Sequence, residues 1–139
     1  MLSLKISNNV NLTQVSVENC PRLNTVVITD NTALVGDSAT NFVTLSDLHA
    51  VTTIDLHGNG KLQYVTIDNC NEENVDKLYL YNTKIKGSPT NNTVLDLSKF
   101  TNMSDFNISN NTNVEFIQFA NIKDKPISLV NPFDGCINL

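Results

Sequence analysis

Cations, histidines and cysteines are all scarce in this chain of 139 residues, and each scarcity removes a class of function. Lys and Arg number 9 against 14 Asp and Glu, a net charge of −5, and the cations are scattered. Nucleic-acid binding draws most of its affinity from clustered cations, so a phosphate-tracking surface is disfavoured. His49 and His57 are the only histidines, and no G-x-S-x-G, H-E-x-x-H or phosphate-loop pattern accompanies them. With no nucleophile, base and orienting group in a recognisable arrangement, no enzymatic activity, cofactor or metal is expected. Cys20, Cys70 and Cys136 are odd in number and hold no C-x-x-C pair, which argues against a zinc site or a full disulfide framework and for buried thiols. No apolar run approaches the roughly eighteen residues that span a bilayer, and Met1 to Leu12 has no basic segment followed by a long apolar one. A soluble chain without a membrane span is the expectation.

What the chain does have is a spacing. In the stretch from Val51 to Leu80, pairs of apolar residues separated by one position are followed three residues later by a corner residue. The module is about eleven residues long and recurs from Leu4 to Ile122. Its apolar-x-apolar core has period two, the mark of a short strand with one face buried. The corners alternate: Asn9, Asn31, Asn59, Thr83 and Asn111 in one set, Cys20, Leu48, Cys70, Phe100 and Ile122 in the other. Two modules therefore make one turn, with a polar corner on one side and an apolar corner on the other. The whole chain, residues 1–139, reads as one mainly β domain: a leucine-rich-repeat solenoid of about five to six turns, with parallel strands and little helix.

The asparagine corners have a physical reason. Where successive turns bend inward at one place, backbone groups lose their strand partners, and a side-chain amide can donate to one turn and accept from the next. Thr83 can do part of this, so a local defect is expected there. A super-repeat two turns long sets Leu45 to Leu48 against Leu97 to Phe100. Its two interruptions, Val35 to Phe42 and Lys86 to Val94, carry loop residues and should project from one edge. Leu4 already belongs to a repeat and Leu139 would open another, which suggests a piece of a longer chain or a subunit whose ends stack on partners.

Several segments carry a family likeness: Leu95-Asp96-Leu97-Ser98, Ile108-Ser109-Asn110-Asn111, Ile54-Asp55-Leu56 and Val65-Thr66-Ile67-Asp68-Asn69-Cys70. They resemble the leucine-rich repeats of bacterial surface proteins written L-D-V-S-x-N-x-x-L-x-x-L-x-C-S-N-N. The closing segment Pro132 to Leu139 is similar to the F-x-G-C-x-x-L of BspA-like repeats, and the likeness covers nearly the whole chain. It implies the solenoid fold and an extracellular or cell-surface binding or adhesion protein of bacteria, and leaves the ligand open. Departures are the two interruptions, Thr83 in place of a ladder Asn, and Pro132 in the last expected ladder place.

Outward positions beside the polar corners are Lys5 and Ser7, Val27 and Thr29, Asp55 and His57, Tyr79 and Tyr81, Asn107 and Ser109. The other strands offer mostly small polar residues, Ser16, Glu18, Thr44, Ser46, Thr66, Asp68, Asp96, Ser98, Gln118 and Ala120, leaving all exposed strand aromatics on the first face. Tyrosine gives apolar area and a hydroxyl at small entropic cost, so Asp55, His57, Tyr79, Tyr81 and Asn107 form the candidate contact patch. The two tyrosines would equally serve as cross-strand packing, and Asp55 with His57 as ordinary solvated residues rather than an acid–base pair. A Cys20–Cys70 bridge is disfavoured because the two lie about two turns apart, beyond disulfide reach.

The expected function is recognition of a protein, or secondarily a glycan, through the asparagine-side sheet. The alternative is a structural subunit of a surface array or virion that self-associates end to end. The tyrosine patch favours the first and exposed apolar ends the second. A carbohydrate-active enzyme lacks the pair of carboxylates in a groove that such chemistry needs.

Overall fold

A computed structural model describes residues 1–37, 42–87, 94–119 and 132–139. Among these residues the chain is mainly β, with no α-helix and one turn of 3-10 helix at Glu72–Asn74. Ten strands follow in order: β1 (Leu2–Ser7), β2 (Val15–Glu18), β3 (Leu23–Thr29), β4 (Val43–Ser46), β5 (Thr53–Asp55), β6 (Thr66–Asp68), β7 (Lys77–Tyr79), β8 (Val94–Leu97), β9 (Asp105–Asn107) and β10 (Phe116–Phe119). Successive strands alternate between sheets, and every pairing is parallel. The odd-numbered strands form a five-stranded sheet in the order β1-β3-β5-β7-β9, while the even-numbered ones form a three-stranded sheet β2-β4-β6 and a separate pair β8-β10.

Register follows the apolar spacing. Leu4, Val26, Ile54, Leu78 and Phe106 lie side by side across the long sheet, and Val17, Leu45 and Ile67 do so across the shorter one. The inward residues of both sheets join one apolar core, with Ile28, Leu45, Ile54, Leu56, Leu78 and Phe106 at its centre. Each such side chain withdrawn from water contributes roughly 1.5–3 kcal/mol.

The polar corners stack. Asn31 Oδ1 accepts from the backbone N–H of Asn9 (3.0 Å) and from its Nδ2 (3.2 Å). Asn59 Oδ1 accepts in the same way from Asn31, at 2.9 and 3.3 Å. Asn59 Nδ2 donates to the carbonyls of Ile28 (2.6 Å) and Leu56 (2.7 Å), closing both the preceding turn and its own. At Thr83 the pattern changes: its hydroxyl donates to Leu80 O (2.7 Å) and accepts from Asn111 Nδ2 (2.9 Å). Asn31, Asn59, Thr83 and Asn111 are buried, whereas Asn9, at the outer edge, is exposed.

The residue before most corners is as telling as the corner itself. Asn8, Asn19, Asp30, Asp47, Asn69, Asn82 and Asn110 all adopt positive φ, as does Gly58. In this left-handed region the Cβ of most L-residues is crowded, and Asn, Asp and Gly tolerate it best. Gly58 has a further constraint, because a Cβ there would lie 2.1 Å from Asp30 Oδ1. These residues stack too, with Asn110 Nδ2 donating to Asn82 Oδ1 at 2.8 Å.

Three expectations are corrected. Thr29, assigned to the outer face, is only 4% exposed; it stands in register beside Ser7 and at the level of His57, between two turns. Cys20 is exposed rather than buried, because β2 is the edge of its sheet, whereas Cys70 is buried and Cys136 half-buried; all three thiols are free. Burial, which outweighs the backbone hydrogen bonds, raises the thiols of Cys70 and Cys136 above the ordinary range. Pro132 does not hold the last ladder place: Ile108 N–H donates to Pro132 O (3.0 Å) and Asn110 N–H to Asp134 O (2.6 Å). That register puts Cys136 opposite Asn111, and its thiol donates to Ile108 O at 3.2 Å, as the Asn31 and Asn59 amides donate to Ile6 O and Ile28 O. The described stems of the two interruptions share an edge, with Gln63 N–H donating to Val35 O (2.7 Å) and Lys86 N–H to Gln63 O (3.0 Å). Half of the first interruption (38–41), most of the second (88–93) and Ile122 lie outside the described residues.

Candidate functional site

Sheet register sets Asp55, Tyr79 and Asn107 in one row across β5, β7 and β9. His57 and Tyr81 fall two residues further on, past the strand ends, in the turns that lead to the corners. Their rings stack with centroids 4.5 Å apart and planes 7° from parallel. His57 Nδ1 is 2.6 Å from Asp55 Oδ1, and its Nε2 is 4.0 Å from Asp30 Oδ2. Tyr79 donates its phenol to Asp105 Oδ2 at 2.5 Å. Asn107 Oδ1 accepts from Ser109 N–H at 2.8 Å, and Asp55 Oδ1 from His57 N–H at 3.2 Å, so the two residues fix their turns alike. Asp55, His57, Tyr79, Tyr81 and Asn107 are all half-buried.

The five predicted residues are thus gathered on one face; among them His57 contacts Asp55 within its own turn and Tyr81 across to the next, while Tyr79 bonds Asp105 and Asn107 its own turn. Three carboxylates that sequence reasoning passed over, Asp30, Asp76 and Asp105, complete the electrostatics. Burial first, then the hydrogen bond and charge of Asp105, raises the Tyr79 phenol far above its ordinary range, with Asp55 and Asp76 acting in the same direction. Burial, then the charges of Asp55 and Asp30, raises the Tyr81 phenol. Both tyrosines are neutral at physiological pH and sit in a field of negative charge. The signal for Asp105 is present in the sequence: it flanks the first apolar residue of its pair, in register with Thr53 and Lys77, whereas the candidate patch draws on positions flanking the second.

The opposite layer departs from expectation in one respect. Phe116, on β10, is 62% exposed, so strand aromatics are not confined to the tyrosine face. It precedes the apolar pair Ile117 and Phe119, and by strand alternation points away from the core. Ala120, expected on the same surface, lies outside the described residues.

Among the described residues no helix is long and apolar enough to cross a membrane. Nor, among them, are three or more His, Cys, Asp or Glu gathered as a metal ion would require. No family model, curated protein or solved structure matches the chain.

Proposed function

We propose that the chain is a leucine-rich-repeat solenoid that recognises a protein through the five-stranded sheet, with Asp55, His57, Tyr79, Tyr81 and Asn107 at the contact. The parallel pairing of alternate strands and the stacked polar corners support the solenoid reading. The observation that carries the functional reading is the Tyr81–His57 stack bordered by Asp30 and Asp55. Such a surface offers flat apolar area beside carboxylates, which suits a partner bearing arginine or lysine. A glycan, which also stacks on aromatic faces, is the second candidate. The location outside a bacterial cell rests on the resemblance of the repeats to those of surface proteins.

The test is selection of binders from a displayed peptide library, with Tyr81→Ala and Asp55→Asn as comparators. Basic peptides should be enriched, and Tyr81→Ala should weaken them about tenfold or more, as truncating an interface anchor does. Circular dichroism checks that the variants remain folded. Unchanged binding in both variants overturns the assignment of this face.

A second reading, a structural subunit assembling through its ends, is favoured by the exposed apolar residues Leu2, Val10, Ile137 and Leu139.

A further inference from the structure

The even-numbered strands do not form one sheet. Among the described residues β6 and β8 do not pair with each other, and no Cα of one lies within 8 Å of the other. Paired strands run about 4.8 Å apart, so this is an opening and not a weak pairing. It leads to a cavity of about 230 Å³ walled by Ile67, Leu78, Leu80, Ile85, Leu97 and Phe100. Asp96 and Lys99, both exposed, stand at its solvent side.

One acidic side chain lines its interior. Glu72, on the 3-10 turn, lines the cavity, is only 8% exposed, and its Oε1 has no hydrogen-bond partner. Among the described residues no Lys or Arg nitrogen pairs with Glu72, so Lys99 does not neutralise it. Glu73, next in the chain, is exposed, so the turn directs one carboxylate to solvent and one inward. A buried carboxylate oxygen without a donor is costly, and native structures rarely leave one without a reason.

We propose that this cavity binds a small apolar amine, whose ammonium group pairs with the Glu72 carboxylate while its hydrocarbon body lies against the walls between β6 and β8. The lining selects for the class: apolar walls admit a hydrocarbon body, and a lone acceptor demands a donor and repels an acid. A metal ion is a poor occupant, because Glu72 belongs to no cluster of ligating side chains. An apolar cavity of about 150 Å³ takes up benzene, so this one has room for an aromatic ring carrying an ethylamine chain.

The test titrates the whole chain with phenethylamine, and separately with phenethyl alcohol and hydrocinnamate, which keep an aromatic body and change the polar end. Calorimetry gives affinity, and amide chemical shifts give the place. Phenethylamine should bind saturably, with shifts centred on β6, β8 and Glu72–Asn74, and hydrocinnamate should not bind. Glu72→Gln should weaken the amine roughly tenfold or more, the effect of losing a charge-assisted hydrogen bond, and leave the alcohol within about twofold. Val65→Phe, at a half-buried wall position, should abolish binding of both. The proposal is overturned if folded wild-type chain shows no saturable binding of the amine, if hydrocinnamate binds as tightly, or if Glu72→Gln leaves the amine affinity unchanged.

Discussion

At each polar corner two residues do different physical jobs. The corner amide satisfies backbone groups of adjacent turns, while the residue before it accepts a left-handed backbone. Asn59 shows the first most fully, with its amide donating to two carbonyls and its oxygen accepting twice from Asn31. Asn59→Ala should therefore lower stability by about 3 kcal/mol or more, since several buried groups lose partners at once. Asn9→Ala, at the exposed edge, should cost no more than roughly 0.5–1 kcal/mol. Urea unfolding of the two variants decides it, and equal losses would mean the ladder has no cooperative value. The corner set was legible because Asn recurs at a fixed distance from an apolar pair. The left-handed residue was hidden, because an Asn-rich chain places Asn beside Asn, as at Asn8-Asn9 and Asn110-Asn111. Asp30, Asp47 and Gly58 at the same station were the clue.

The strands show where spacing is sufficient information and where it is not. Period-two pairs locate every described strand, and the shared interval predicts parallel register; the break between β6 and β8 leaves no trace in either pair, since Val65-x-Ile67 and Leu95-x-Leu97 keep the pattern. What differs is the connection. Ile67 to Leu97 is a longer interval than Val17 to Leu45, and it holds both the Glu72–Asn74 turn and the second interruption. The candidate site was legible for a related reason and to a similar depth: alternation names the outward residues, while the His57–Tyr81 stack and the Tyr79–Asp105 bond depend on neighbouring turns that no local pattern reports. An opening in a sheet leaves backbone donors without strand partners, and such amides exchange from the low end of the stability range. In hydrogen exchange, the amides of β6 and β8 that point into the gap should exchange at least roughly tenfold faster than those bonding β4 to β6. Uniform protection across β4, β6 and β8 would mean the gap closes in solution.

For the whole molecule the question is whether recognition by a face or assembly through the ends dominates. Among the described residues the five-stranded sheet ends at β1, whose outer edge pairs with no strand, and an exposed strand edge is a template for pairing with another chain. Beside it Val10 is 64% exposed, and at the other end of the chain Ile137 is 79% exposed. In the structural-subunit reading, apolar side chains and an open edge at one end would meet apolar side chains at the other in a head-to-tail contact, which would propagate unless its rotation closes a ring. Light scattering behind size exclusion should therefore show a mass that rises with concentration. Val10→Lys should reduce it by placing a charge against the edge, and Tyr81→Ala should leave it unchanged because that side chain belongs to the sheet face. A mass fixed at one chain across the series would remove the structural-subunit reading and leave the tyrosine face to account for function. Assembly reduced equally by both variants would instead mean that the tyrosine face is itself the surface on which copies of the chain meet.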